Sequence, residues 1–158
     1  MSEEKQEIKG GCHCGKIKYT FRIPVPSAGK GQLTATRCNC TFCTKFSTTN
    51  LMLPDPDKAD FTLLTESTAP RSSLGNYQPR VKSLSRFFCQ DCGAHVWMEG
   101  YFEHEGMKFD VFAVNLASVD QPQDGIDLKD VKIKYFGELE AKGKGMETRD
   151  EPWEHGLL

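Results

Sequence analysis

Seven cysteines stand in three short clusters: Cys12-His13-Cys14, Cys38-Asn39-Cys40-Thr41-Phe42-Cys43 and Cys89-Gln90-Asp91-Cys92-Gly93. Nothing else in the 158 residues restricts the fold as strongly. An odd number excludes complete internal disulfide pairing. The opening MSEEKQEIKGG is charged and polar where a signal peptide carries an apolar core. No apolar run approaches the roughly 20 residues that span a bilayer. The expected location is therefore cytoplasmic, with the nucleus as an alternative, and no membrane partner is expected. Thiols stay reduced there, and close-set cysteines in a reducing compartment read as metal ligands.

The third cluster has a zinc-knuckle pattern, two thiolates flanking a tight turn, with Gly93 free to take the positive φ that such a turn requires. The first cluster is a C-x-C pair followed by Gly15. Together the two pairs supply four sulfurs, the tetrahedral set of a structural zinc. Such a site would tie the start of the domain to its middle, and the metal–sulfur bonds would offset the entropy of closing a long loop. C-x-C-x-x-C remains, with Cys38, Cys40 and Cys43 as three ligands from one short segment. Three protein ligands and one exchangeable position is the arrangement of catalytic zinc sites. Three thiolates leave the complex at net −1, which weakens Lewis acidity and disfavours hydroxide chemistry. A soft, sulfur-rich ion suits holding an incoming thiol as thiolate. Three other readings stay open on spacing alone. Both metals could be structural, with His13, His95 or an Asp closing the second site. An iron–sulfur cluster and a redox C-x-x-C pair are the others, although no βαβ pattern surrounds either pair.

The rest of the chain reads as strands. Ile17, Tyr19, Phe21 and Ile23 alternate with polar residues in KIKYTFRI. Pro24 and Pro26 end that run, and PSAGKGQ reads as a turn or loop. Leu33 and Ala35 lead into the second cluster. Short β-like pieces follow at Leu51 to Leu53, ended by PDPD, at Phe61 to Leu64 and at Leu84 to Phe88. KFDVFAVNL is apolar on both alternating faces, as in a strand buried on both sides. Val131, Ile133 and Tyr135 mark the last run. No stretch holds a 3.6-residue period for long. The expected fold class is mainly β: a compact, zinc-stapled fold of small antiparallel sheets with few short helices. Residues 1–8 read as an N-terminal tail, 9–137 as one zinc-binding β domain and 138–158 as a polar tail or peripheral segment, with Trp153 pinning its end.

GGCHCGKIKY, CNCTFC and FFCQDCGAHVW, in this order and spacing, resemble the family of glutathione-dependent formaldehyde-activating enzymes, which includes centromere protein V. The resemblance covers residues 9 to 137 and all seven cysteines. It implies a β fold of small sheets around zinc, two ions per chain. It further implies that Cys12, Cys14, Cys89 and Cys92 bind the structural ion and that Cys38, Cys40 and Cys43 bind the second. The activity implied is carbon–sulfur lyase chemistry, with glutathione as the thiol and formaldehyde as the electrophile. Members usually carry a basic pair and a Gly-containing turn after the triplet; in TKFSTTN only Lys45 keeps a charge, the glycine is absent and Phe46 is bulky.

Other residues take simpler readings. His13 reads as a solvent-facing loop residue and His95 as a turn or edge-strand residue. Lys45, Arg80, Lys82 and Arg86 are candidate contacts for the carboxylates of an anionic thiol. Phe87, Phe88, Trp97, Phe109, Phe112 and Tyr135 read as core. Thr48 and Asn50 are placed to line the open coordination position. A net charge of −2 and a pI near 6.1 argue against nucleic acid as partner. The resulting expectation is a zinc-dependent lyase-like enzyme acting on a small thiol and an aldehyde or its thiol adduct. The alternative is a non-catalytic zinc module that binds another macromolecule.

Overall fold

Alternation of buried and exposed residues in KYTFRIP builds β2 (Lys18–Pro24), in which Tyr19, Phe21 and Ile23 are almost completely buried. The structure, a computed structural model, describes residues 4–24, 32–53, 60–138 and 147–158. The loop expected at PSAGKGQ (apart from Gln32), the PDPD stop and all of KGKGM therefore lie outside the described residues. β2 is the centre of a small antiparallel sheet between β1 (Lys5–Gly11) and β5 (Phe61–Leu63). Ile8 of β1 faces Phe21 across the pair and is fully buried.

The second sheet has eight strands. After β3 (Thr34–Cys38) and helix α1 (Thr41–Phe46) come β4 (Asn50–Met52), β6 (Gly75–Tyr77), β7 (Leu84–Phe88), β8 (His95–His104) and β9 (Met107–Asn115). The last two strands are β10 (Lys132–Phe136) and β11 (Thr148–Arg149), and the spatial order is β11-β10-β3-β4-β9-β8-β7-β6. Its neighbours pair antiparallel, except that β10 runs parallel to β3. The long connection from β4 to β10 lets the chain return to β3 from the other side, as a parallel pair requires. The fold is mainly β, as expected.

The two sheets meet through aromatic rings. Phe61 of the small sheet lies 4.8 Å from Trp97 and 4.9 Å from Phe112 of the large one, centroid to centroid. Tyr19 stacks on Phe61 at 5.2 Å, and its hydroxyl meets Ser118 Oγ at 2.6 Å. Ring pairs of this kind add about 0.5–1.5 kcal/mol each beyond the area they bury.

Several expectations are corrected here. β1 begins at Lys5, so the boundary placed at residue 9 cuts through a strand; its short KQEIKGG run carries one apolar side chain, too few to read as alternation. β9 is buried on both faces only from Val111 onward, because its first half lies in a hairpin that projects into solvent. Phe109 sits in that hairpin, 36% exposed and stacked on Phe102, and is not core. Phe87, Trp97 and Phe112 are core. Phe88 and Tyr135 are only half-buried. Residues 147–158 dock on the large sheet: the Trp153 ring N–H donates to Tyr135 O at 3.0 Å, and the Arg149 guanidinium covers the same ring at 3.8 Å. No helix among the described residues is long and apolar enough to cross a membrane.

Candidate metal centres

All seven cysteines are free, and their sulfurs gather into two groups, Cys12, Cys14, Cys89 and Cys92 in one and Cys38, Cys40 and Cys43 in the other. Within each group every sulfur lies within 4.8 Å of the others. The four-plus-three partition that spacing left open is thus the one the fold makes.

Two turns build the first group. Between β1 and β2, Cys12 N–H donates to Ile17 O at 3.0 Å, and Ile17 N–H returns to Cys12 Sγ at 3.2 Å. Between β7 and β8, Gly93 N–H donates to Cys89 O at 2.8 Å and Cys89 N–H to Ala94 O at 3.0 Å. Gly15 and Gly93 hold φ near +80°, which the absence of a Cβ permits. Sγ of Cys14 lies 3.6 Å from Sγ of both Cys12 and Cys89. Zinc–sulfur bonds of about 2.3 Å set tetrahedral sulfur–sulfur edges near 3.8 Å, so the donor set fits such a centre. Cys89 is buried, Cys14 is exposed, and an exposed Lys16–Asp91 ion pair of 3.0 Å spans the two turns.

The second group comes from one corner. Cys38 ends β3, Cys40 is the N-cap of α1 and Cys43 sits in its first turn, buried. Sγ of Cys40 accepts from Cys43 N–H and Sγ of Cys38 from Cys40 N–H, both at 3.3 Å. Backbone donors of this kind stabilise thiolate charge. The helix ends after six residues because Ser47 turns left-handed, φ 52°, taking the place of the glycine that the resemblance led one to expect. Among the described residues no His, Asp or Glu atom joins the triplet. His13 is exposed between its two cysteines, and His95 stands at the start of β8.

The thiols within each group oppose one another. The side chains of Cys38 and Cys43, then the backbone N–H groups of Cys43 and Phe42, hold Cys40 down to about 2. Cys38 is pushed far up by Cys40, Cys43 and burial. Cys43 is lowered by Cys38 but raised more by Cys40 and burial. In the first group the N–H groups of Ala94 and Cys14 hold Cys92 at about 6. Cys14 is pushed up to about 12, because its sulfur neighbours and desolvation outweigh the Lys16 N–H that lowers it. Cys40 and Cys92 thus ionise ahead of Cys38, Cys43 and Cys14, and a cation among the sulfurs would favour the thiolate form of the latter three.

Beside the triplet is a recess lined by Phe42, Thr48, Asn50, Arg86, His95 and Asn115, among others. Thr48 N–H donates to Cys43 O at 3.1 Å, which fixes this wall against the cysteine loop. Asn115 accepts from Thr49 N–H at 3.2 Å and donates to His95 O at 2.9 Å. The fold thus brings Thr48, Asn50 and Arg86 together there. Lys45 and Lys82 are exposed outside it, and Arg80 pairs with Glu138 at 3.5 Å. His95 and Phe42 were not foreseen as lining; an aromatic between two ligand cysteines was the one available signal. Phe46, bulky where a small turn was expected, packs on the His95 ring at 4.4 Å.

No curated protein matches the chain significantly. A crystal structure of a Rhodobacter sphaeroides protein is similar in fold, with a TM-score of 0.51 and 21% identity over 78% of this chain and 94% of that one. The family model described as glutathione-dependent formaldehyde-activating enzyme matches residues 7–133, a span that takes in all seven cysteines. The chain belongs to that family.

Proposed function

We propose that the chain is a zinc-dependent carbon–sulfur lyase-like enzyme that acts on glutathione or a similar small thiol and an aldehyde, or on their adduct. The observation that carries this reading is the unequal pair of sulfur groups: four in one, three in the other with no further protein donor among the described residues. In this reading Cys12, Cys14, Cys89 and Cys92 hold a structural ion, and Cys38, Cys40 and Cys43 hold the one that meets substrate. Zinc bound there supplies a soft Lewis acid that favours a thiol in its thiolate form. The protein's own part is positioning. The Cys40 and Cys43 N–H groups spread charge over the sulfurs, while Thr48, Asn50 and Phe42 wall the approach. Free thiols at all seven positions suit a reducing, cytoplasmic setting.

The test joins metal analysis to chemistry. The isolated protein is expected to carry about two zinc ions per chain, one for each sulfur group. It should also accelerate exchange between glutathione, formaldehyde and S-hydroxymethylglutathione, followed by NMR at equilibrium. Two zinc ions with no acceleration would favour the non-catalytic zinc module.

A further inference from the structure

Arg86 projects from β7 on the sheet face away from the aromatic core, in a cross-strand row with Tyr77, Met98 and Ala113. Its guanidinium lies 4.6 Å from the centroid of Phe42, the residue between Thr41 and Cys43 in the ligand loop. Both Nε and Nη1 are buried without a hydrogen-bond partner, and so is the Thr48 hydroxyl on the same recess. Buried donors left unmade are costly, and native proteins satisfy nearly all of them. The guanidinium takes a carboxylate bidentately along its Nε–Nη2 or its Nη1–Nη2 edge, and each of these edges holds one of the two unpaired donors. No carboxylate pairs with Arg86 among the described residues, while Phe46 and Tyr77, both exposed, pack near the Phe42 ring.

We infer that Arg86 is the specificity-determining residue for the thiol, binding its carboxylate while the sulfur occupies the Cys38–Cys40–Cys43 centre. The substrate class is accordingly a thiol that carries a carboxylate. This deepens the function proposed above and rests on it for the placement of the sulfur. The competing role for Arg86 is to balance the negative charge of Cys40 and Cys43, whose fields reach it. That role predicts a loss shared equally by charged and uncharged thiols.

The experiment titrates the full-length, cobalt-substituted protein with glutathione and with glutathione diethyl ester, read by sulfur-to-cobalt charge-transfer absorption. The unaltered protein is expected to bind glutathione about tenfold or more tightly than the ester, the range of a charge-assisted pair. Arg86→Met should remove most of that preference and change ester binding by less than about threefold, with Arg86→Lys intermediate. No preference in the unaltered protein overturns the inference even if the variants fail to fold, and so does equal weakening of both ligands. Should neither thiol alter the cobalt spectrum, the proposed reaction fails instead. Calorimetry with S-methylglutathione and its diethyl ester then decides Arg86 alone. Charge-dependent binding lost in Arg86→Met upholds it, and its absence overturns it.

Discussion

Sγ of Cys14 lies 3.6 Å from Sγ of Cys89, a contact that joins the turn before β2 to the turn after β7 across 75 residues. A metal held there acts on the whole domain, because losing it frees a loop of that length. Cys89 is also 1% exposed and packs with the core. Cys89→Ser is expected to halve the zinc content and to lower stability by on the order of 3 kcal/mol or more. Metal analysis and thermal unfolding of the same preparation check this. A variant with one zinc and an unchanged melting point would separate the site from the fold.

Cys38, Cys40 and Cys43 lie within six residues, so a metal there closes almost no loop. Cys40→Ser is accordingly expected to lose the second zinc and all thiol–aldehyde activity while costing no more than about 1–2 kcal/mol. Denaturant unfolding beside the NMR exchange assay distinguishes this from general destabilisation. Equal stability losses in Cys40→Ser and Cys89→Ser would contradict the division of labour.

What could be read before folding follows a physical line. Metal ligands declare themselves because thiolate geometry demands short, fixed spacings, so Cys89-x-x-Cys92 needs no tertiary context. β2 is legible for a related reason: Tyr19, Phe21 and Ile23 each answer to one buried face. Arg86 is different. It was one cation among four until β6, β7 and α1 came together, and its burial against Phe42 depends on strands distant in sequence. Helix α1 was hidden because six residues carry no period, and its N-cap is the ligand Cys40 rather than Ser, Thr, Asp or Asn. The docking of residues 147–158 joins one tryptophan to a two-residue strand and to ion pairs of Asp150 with Lys132 and Lys134, which composition alone cannot place on a sheet.

Ile8 tests the N-terminal boundary. Its side chain is fully buried opposite Phe21, three residues beyond Lys5, which meets the buried carboxylate of Asp60. Ile8→Ala is expected to cost about 2–5 kcal/mol. A chain starting at residue 9 should be destabilised by at least as much, measured by urea unfolding with zinc content held constant. If that truncation melts like the full chain, β1 contributes nothing that its remaining residues do not supply.

His95 introduces an acid-side dependence. Its pKa lies below the ordinary value, first because burial among Phe42, Phe46 and Phe88 penalises the imidazolium and then because Arg86 repels it. Tyr77 and Arg86 are the titratable and charged groups of the neighbouring strands on that face. The unfolded chain takes up the proton near pH 6.5 and the folded chain only at lower pH. Stability is therefore lost as pH falls through about 6.5, levels off below the folded pKa, and gains nothing from His95 at higher pH. His95→Phe should flatten this part of the profile. The difference between the two proteins in urea midpoint, at pH 7.5 and 5.5, removes the shared titration of the cysteines. Parallel profiles would count against the account.

Residues 147–158 reach the triplet through its own loop. Asn39, between Cys38 and Cys40 and 4% exposed, donates its side-chain amide to Glu154 O at 3.3 Å, and Arg37 bonds to Leu158 O. The segment is held by the Trp153 ring N–H to Tyr135 O, by the pairing of β11 with β10 and by Asp150, which meets Lys132 and Lys134. Trp153→Ala removes the ring anchor nearest Glu154, and the hydrogen bond from the Asn39 amide to Glu154 O then loosens. The expected global cost is about 1–2 kcal/mol, but the local effect is larger. A chelator should strip zinc from Cys38, Cys40 and Cys43 about tenfold faster, while release from Cys12, Cys14, Cys89 and Cys92 stays within about twofold, because only the first loop loses its support. Two-phase release kinetics read both rates in one experiment. If both phases accelerate together, the segment supports the domain as a whole and not the ligand loop it touches.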